Sequence, residues 1–140
     1  MSRARLALPL VLLLAATSVV ACSDDDAGSA EELCSVVGDG RSFTALFDQG
    51  FDPTDTQRAL SQLAAAKVDL DQLRRAAPTE VRDDLDAEIR YLDAVTGILR
   101  GEDPDDPAAV VAAINGLSEE RSAAQVASLV LDEFQTEHCR

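Results

Sequence analysis

"ALSQLAAAKVDLDQLRRAAPTEVRDDLDAEIRYLDAVTGILR", residues 59–100, decides the fold. Its first half carries Ala59, Leu63, Ala66, Leu70, Leu73 and Ala77 at steps of 4, 3, 4, 3 and 4. That is a heptad-like seam on one helical face, widened by Leu60, Ala64 and Val68. The second half repeats the pattern with Val81, Leu85, Ile89, Leu92, Val95 and Leu99, while Asp83, Asp84, Asp86 and Arg90 lie largely off that face. Pro78 cannot continue a helix interior and separates the two. Arg82 with Asp86, and Asp86 with Arg90, are i, i+4 pairs on the third helix, each worth a few tenths of a kcal/mol.

The same periodicity extends outward. Upstream, Leu33, Val36 and Val37 precede a Gly38-Asp39-Gly40 break, and Phe43, Phe47 and Phe51 follow at i, i+4 and i+8 as core candidates. Asp52-Pro53-Thr54 reads as a turn and the start of the second helix. Downstream, Gly101 stops the third helix, and Asp106 before Pro107 opens a fourth helical region with Val110, Val111, Ile114 and Leu117. That region breaks at Asn115-Gly116 and restarts with Ser118 as the cap. Ala123, Val126, Val130 and Phe134 then lie on one face, broadened by Ala124, Ala127 and Leu131. Four helical regions joined by short turns predict an all-α protein, an up-down-up-down four-helix bundle spanning residues 31–140 as one domain.

The N-terminus follows a different rule. Arg3 and Arg5 precede an apolar run from Leu6 to about Ala16, which is short for a membrane span of about 20 residues. Val19-Val20-Ala21-Cys22 comes next: an aliphatic residue, a tolerant position, a small residue and a cysteine. This resembles the lipobox of bacterial lipoproteins. The resemblance implies removal of residues 1–21 as a signal peptide and lipid attachment at Cys22. The protein would then be lipid-anchored on the extracytoplasmic face of the cell membrane. Several acyl chains make a stable anchor where one is marginal. Residues 22–30, with Asp24, Asp25 and Asp26, read as the lipidated cysteine and an acidic flexible tether. With "LRRAAPTEVRDDL" at residues 73–85, the chain also resembles the small helical lipoproteins of actinobacteria, many of which have no assigned role.

Cys34 and Cys139 remain. Exported proteins occupy oxidising compartments, so these two are expected to form a disulfide. In an up-down-up-down bundle the start of the first helix and the end of the last meet at one end, which agrees with that pairing. His138 beside Cys139 lacks the further ligands and spacing of a zinc site, so no metal and no cofactor is expected. His138, three residues from the C-terminus, is expected to be frayed and exposed. The acidic turn at residues 102–106 lacks the alternation, central glycine and closing glutamate of a calcium loop.

No nucleotide-binding or nucleophile motif is present, the serines lack a base, and the carboxylates fall mainly on polar faces with no pair set apart. An enzyme is not expected. The reading is a non-enzymatic interaction module of the cell envelope, with a protein partner attracted by charge. The alternative is a carrier of a small apolar ligand or lipid inside the bundle, with the phenylalanine stripe lining a pocket.

Formal net charge is −14, with 26 acidic and 12 basic residues, and Lys67 is the one lysine. Without residues 1–21 the net charge is −16. Phosphate backbones are bound by clusters of Lys and Arg, which this chain lacks. The mature region is therefore expected to leave duplex DNA unshifted in an electrophoretic assay at moderate salt. Tight binding that weakens steeply with salt would contradict this.

Overall fold

The computed structural model describes residues 27–38, 42–43, 55–101 and 106–139. These residues hold five helices and no strand: α1 (Ala30–Val37), α2 (Thr56–Ala76), α3 (Thr79–Gly101), α4 (Pro107–Asn115) and α5 (Ser118–His138). Cys22, Phe47, Phe51, residues 52–54 and most of the acidic turn lie outside the described residues.

The helix starts follow local chemistry. Ser29 caps α1 through a reciprocal box: its hydroxyl accepts from Glu32 N and its own N–H donates to the Glu32 carboxylate, both at 3.1 Å. The folded part therefore begins earlier than residue 31, inside the stretch read as tether. The Ser-x-x-Glu pattern at 29–32 is the signal for it. Gly28 lies so close to the Ala76 carbonyl that any Cβ there would collide with it, which ties the entry to α1 against the end of α2. Asp55 caps α2 by accepting from Arg58 N at 3.0 Å, so the helix starts after the turn read at residues 52–54. Asp106 caps α4 in the same way through Ala109 N, as expected, with Pro107 in the first turn. Ser118 is not the cap of α5. That position falls to Leu117, without a side-chain bond, because Gly116 stays in right-handed helical geometry and the chain turns tightly from α4 into α5.

Two ion pairs fix the direction of α2 against α3. Lys67 Nζ meets Asp93 Oδ1 at 2.5 Å, and Arg74 pairs with Asp86. As one residue number rises its partner's falls, so the helices are antiparallel. The hydrogen bonds of Asp86 thus reach across to Arg74 on α2, while Arg90 and Arg82 of its own helix act on it by charge; Arg82 also donates to the Ala77 carbonyl at 3.0 Å. Ser128–Glu88 and Arg121–Tyr91 contacts set α5 antiparallel to α3 by the same logic. The α3–α5 contact is the most extensive in the protein and α2–α3 is next. α3 is therefore the central helix.

The core forms two clusters stacked along α3. At one end, Leu33, Val37 and Phe43 pack with Leu70, Leu73, Ala77, Val81, Leu85, Leu131 and Phe134. At the other, Ala59, Leu63, Tyr91, Val95 and Leu99 pack with Val110, Ile114 and Ala124, so α4 closes that end. Most seam residues of α2 are buried as expected. On α3, Glu88 and Tyr91 occupy the central buried positions while Ile89 and Leu92 are only half-buried. On α5 the expected face is met only in part. Ala124, Ala127, Ser128, Leu131 and Phe134 are buried, whereas Ala123, Val126 and Val130 are exposed. The reason is complementarity of volume: long side chains at Glu88 and Tyr91 need small residues opposite them.

Asp132 adds a polar fastening. Its carboxylate accepts from Phe43 N at 2.7 Å and from Ser42 Oγ at 3.0 Å, pinning the chain beyond α1 to α5.

Cys34 and Cys139 lie at disulfide distance, with Cα atoms 5.2 Å apart and a sequence separation of 105. The pairing expected from the cysteine count is thus met. Chain-entropy arguments put a crosslink over such a loop at about 4.7 kcal/mol, against a total stability of roughly 5–15 kcal/mol for a domain. Replacing both cysteines by alanine is expected to lower the denaturation midpoint in urea by an amount equivalent to several kcal/mol. An unchanged midpoint would show that the pair contributes nothing.

Candidate functional site

The two apolar clusters meet at a polar layer. Glu88 lies on α3 between Leu85 of one cluster and Tyr91 of the other, and Ser128 lies on α5 between Ala124 and Leu131. Glu88 is 1% exposed and Ser128 is fully buried. They are the buried polar residues among those described. Antiparallel packing brings them together although 40 residues separate them.

The geometry specifies a protonation state. Ser128 Oγ lies 2.6 Å from Glu88 Oε1 and 3.0 Å from the Ala124 carbonyl. A hydroxyl has one proton to donate. With Glu88 ionised, that proton goes to the carboxylate and the contact to Ala124 is lost. With Glu88 protonated, the acid donates to Ser128, which donates to Ala124, and both contacts are made. Glu88 Oε2 has no hydrogen-bond partner among the described residues. An unpaired oxygen is far less costly on a neutral acid than on a buried anion.

The electrostatics agree. Burial pushes the Glu88 carboxyl up from 4.5 to about 7; the Ser128 contact acts against this, and the negative charges of Asp132 and Asp84 add to it. Asp84, on the same helix, is itself raised by burial and by Asp83. Asp86 runs the other way: the hydrogen bond from Arg74 holds its carboxyl below the usual range.

The layer departs from the sequence reading, which placed the carboxylates mainly on polar faces and found no base for a serine. Glu88 was legible in principle. It stands seven residues before Val95 and three after Leu85, in the apolar register of α3. A buried acid hydrogen-bonded to a serine is a polar core contact, with Asp132 and Asp84 near enough to raise its carboxyl. Among the described residues no group of three or more His, Cys, Asp or Glu side chains could hold a metal ion.

The remaining site expectations divide as follows. Cys34 and Cys139 come together, and Cys22 lies outside the described residues. His138 is exposed, as expected, but held in the last turn of α5. Its ring stacks on Phe134 at 4.1 Å and its Nδ1 lies 3.0 Å from the Phe134 carbonyl. Phe43 is buried in the first cluster, and Phe47 and Phe51 lie outside the described residues. An open groove of ≈ 460 Å³ between α1 and α2 is lined by Glu32, Ser35, Val36, Gln72, Arg75 and Ala76. Among the described residues no helix is long and apolar enough to cross a membrane. No family model, curated protein or solved structure matches the chain.

The raised Glu88 carboxyl ties stability to pH with a definite sign. Below about 4.5 the acid is neutral in folded and unfolded chains alike. Between about 4.5 and about 7 the unfolded chain releases a proton that the folded one keeps, so stability falls as pH rises. Above that window the loss is complete, about 3 kcal/mol at roughly 1.4 kcal/mol per unit. Glu88→Gln mimics the neutral acid and removes this dependence. Urea denaturation of both proteins between pH 4 and pH 8 should show the variant gaining on the wild type as pH rises. A constant difference across that range would disprove the buried neutral acid.

Proposed function

We propose that the chain is a lipid-anchored, non-enzymatic interaction module at the extracytoplasmic face of the cell membrane. The observation that carries the reading is the Val19-Val20-Ala21-Cys22 motif behind a basic start and a short apolar run. In this reading residues 1–21 are removed, Cys22 holds the lipid, and the residues after it link the anchor to the helical body. The body is read as an up-down-up-down bundle. The antiparallel courses of α2 against α3 and of α3 against α5 support that reading. So does the proximity of Cys34 and Cys139, which suits an oxidising compartment.

An interaction role is supported by the surface. Val126 and Leu129 on α5 are 59% and 63% exposed, an apolar area that does not serve the core. Among the described residues the carrier alternative gains no comparable support. The groove beside α1 is open and lined by polar as well as apolar residues, unlike the enclosed apolar pocket a lipid carrier needs.

Cys22→Ser tests the anchor. Expressed in a bacterium that processes lipoproteins, the variant is expected to leave the membrane fraction and to lose incorporation of labelled fatty acid, while the wild type keeps both. Equal membrane partitioning and equal labelling of the two would refute the reading.

A further inference from the structure

α5 is apolar on two sides. One side, Ala124, Ala127, Ser128, Leu131 and Phe134, is buried against the rest of the protein. The other carries Val126, Leu129 and Val130, exposed by 59%, 63% and 39%. At about 100° per residue these three fall within one arc, facing away from the buried side. Glu119, Glu133 and Glu137, all exposed, fall on the same arc. The face therefore reads acid, apolar, acid along the helix, with Glu119, Val126, Val130, Glu133 and Glu137 at steps of 7, 4, 3 and 4. No lysine or arginine lies on it. Arg121, the arginine of α5, is turned aside to Tyr91 OH at 3.2 Å.

Single exposed apolar residues are ordinary, but three contiguous ones on one helical turn are not required by the fold. Two of them are β-branched valines, which exposed helix positions disfavour on propensity. Their placement needs a reason outside the core.

We propose that this outward face of α5 docks an amphipathic helix of a partner protein that carries lysine or arginine at both ends of its apolar stripe. Val126, Leu129 and Val130 supply the contact area. Glu119 lies about 21 Å from Glu133 along the helix at 1.5 Å per residue, which sets the spacing of the partner's two basic ends. Charge selects this occupant over two others. A second copy, paired in either direction, sets glutamates against glutamates, a built-in bar to self-association. A bilayer surface is met by apolar faces flanked with Lys and Arg, the opposite of this arrangement. The inference rests on the interaction-module reading but not on the lipid anchor, which the Cys22→Ser fractionation decides separately.

The test uses the full chain and two synthetic helical peptides of about 15 residues, which span about 21 Å at 1.5 Å per residue and so match the Glu119–Glu133 spacing. Both have a central leucine stripe at i, i+3, i+4 and i+7. One has lysines at both ends and the other has glutamates. The lysine-ended peptide is expected to bind, with weakening as salt rises, and the glutamate-ended one is not. Leu129→Asp should reduce binding about tenfold or more, as loss of a central anchor does, with the thermal melt unchanged. Glu119→Lys with Glu133→Lys should switch preference to the glutamate-ended peptide. Three results would each overturn the proposal. One is equal binding of both peptides, or binding indifferent to Leu129→Asp. Another is sedimentation showing a wild-type dimer that Leu129→Asp dissociates. The third is binding to phosphatidylglycerol vesicles that Leu129→Asp abolishes.

Discussion

The contact of α3 with α5 carries the architecture. α3 is the helix that both α2 and α5 pack against, and every core cluster includes its residues. The approach of α5 is made possible by Ala124, Ala127 and Ser128, small side chains opposite Glu88 and Tyr91. Small residues there let two helices with few aromatics pack without voids. They also leave room for one acid, Glu88, whose neutral form joins Ser128 and Ala124 into a hydrogen-bonded chain. An ionised carboxylate at that depth would work against the contact on which the fold depends.

The two ends of the molecule are secured by different means. At one end the short α1 has little area of its own. It is held by Leu33 and Val37 in the core, by the Asp132 carboxylate on Ser42 and Phe43, and by the Cys34–Cys139 pair. At the other end α4 closes the second core cluster with Val110 and Ile114, its start fixed by the Asp106 cap. Between them, Lys67–Asp93 and Arg74–Asp86 run along the outside of the α2–α3 hairpin. Exposed pairs of this kind add little stability, but they pair opposite charges across the two helices. Lys67 and Arg74, two of the few cations of a strongly acidic chain, each face an acid on a neighbouring helix.

The acidic surface and the outward face of α5 belong to one functional picture. In the proposed reading, high negative charge would repel nucleic acid and a second copy and draw in a basic partner. The exposed apolar turn at Val126, Leu129 and Val130 would then supply the short-range contact that charge alone does not give.

What the sequence by itself determined follows from local rules. Helical period placed α2 and α3, Pro78 parted them, Asp106 marked the start of α4, and two cysteines in a chain read as exported implied a pair. Each of these depends on residues a few positions apart or on a count. The Ser29–Glu32 box was equally local and could have been read. Which side of α5 enters the core was not local, because two apolar stripes compete on that helix and its own residues favour neither. The choice came from α3: with Glu88 and Tyr91 facing inward, only the alanine and serine side of α5 had the volume to fit. The same pairing turned a glutamate that looked like surface charge into a buried acid. Period and composition describe a helix alone, whereas burial is decided by the shape of the surface that another helix brings to it.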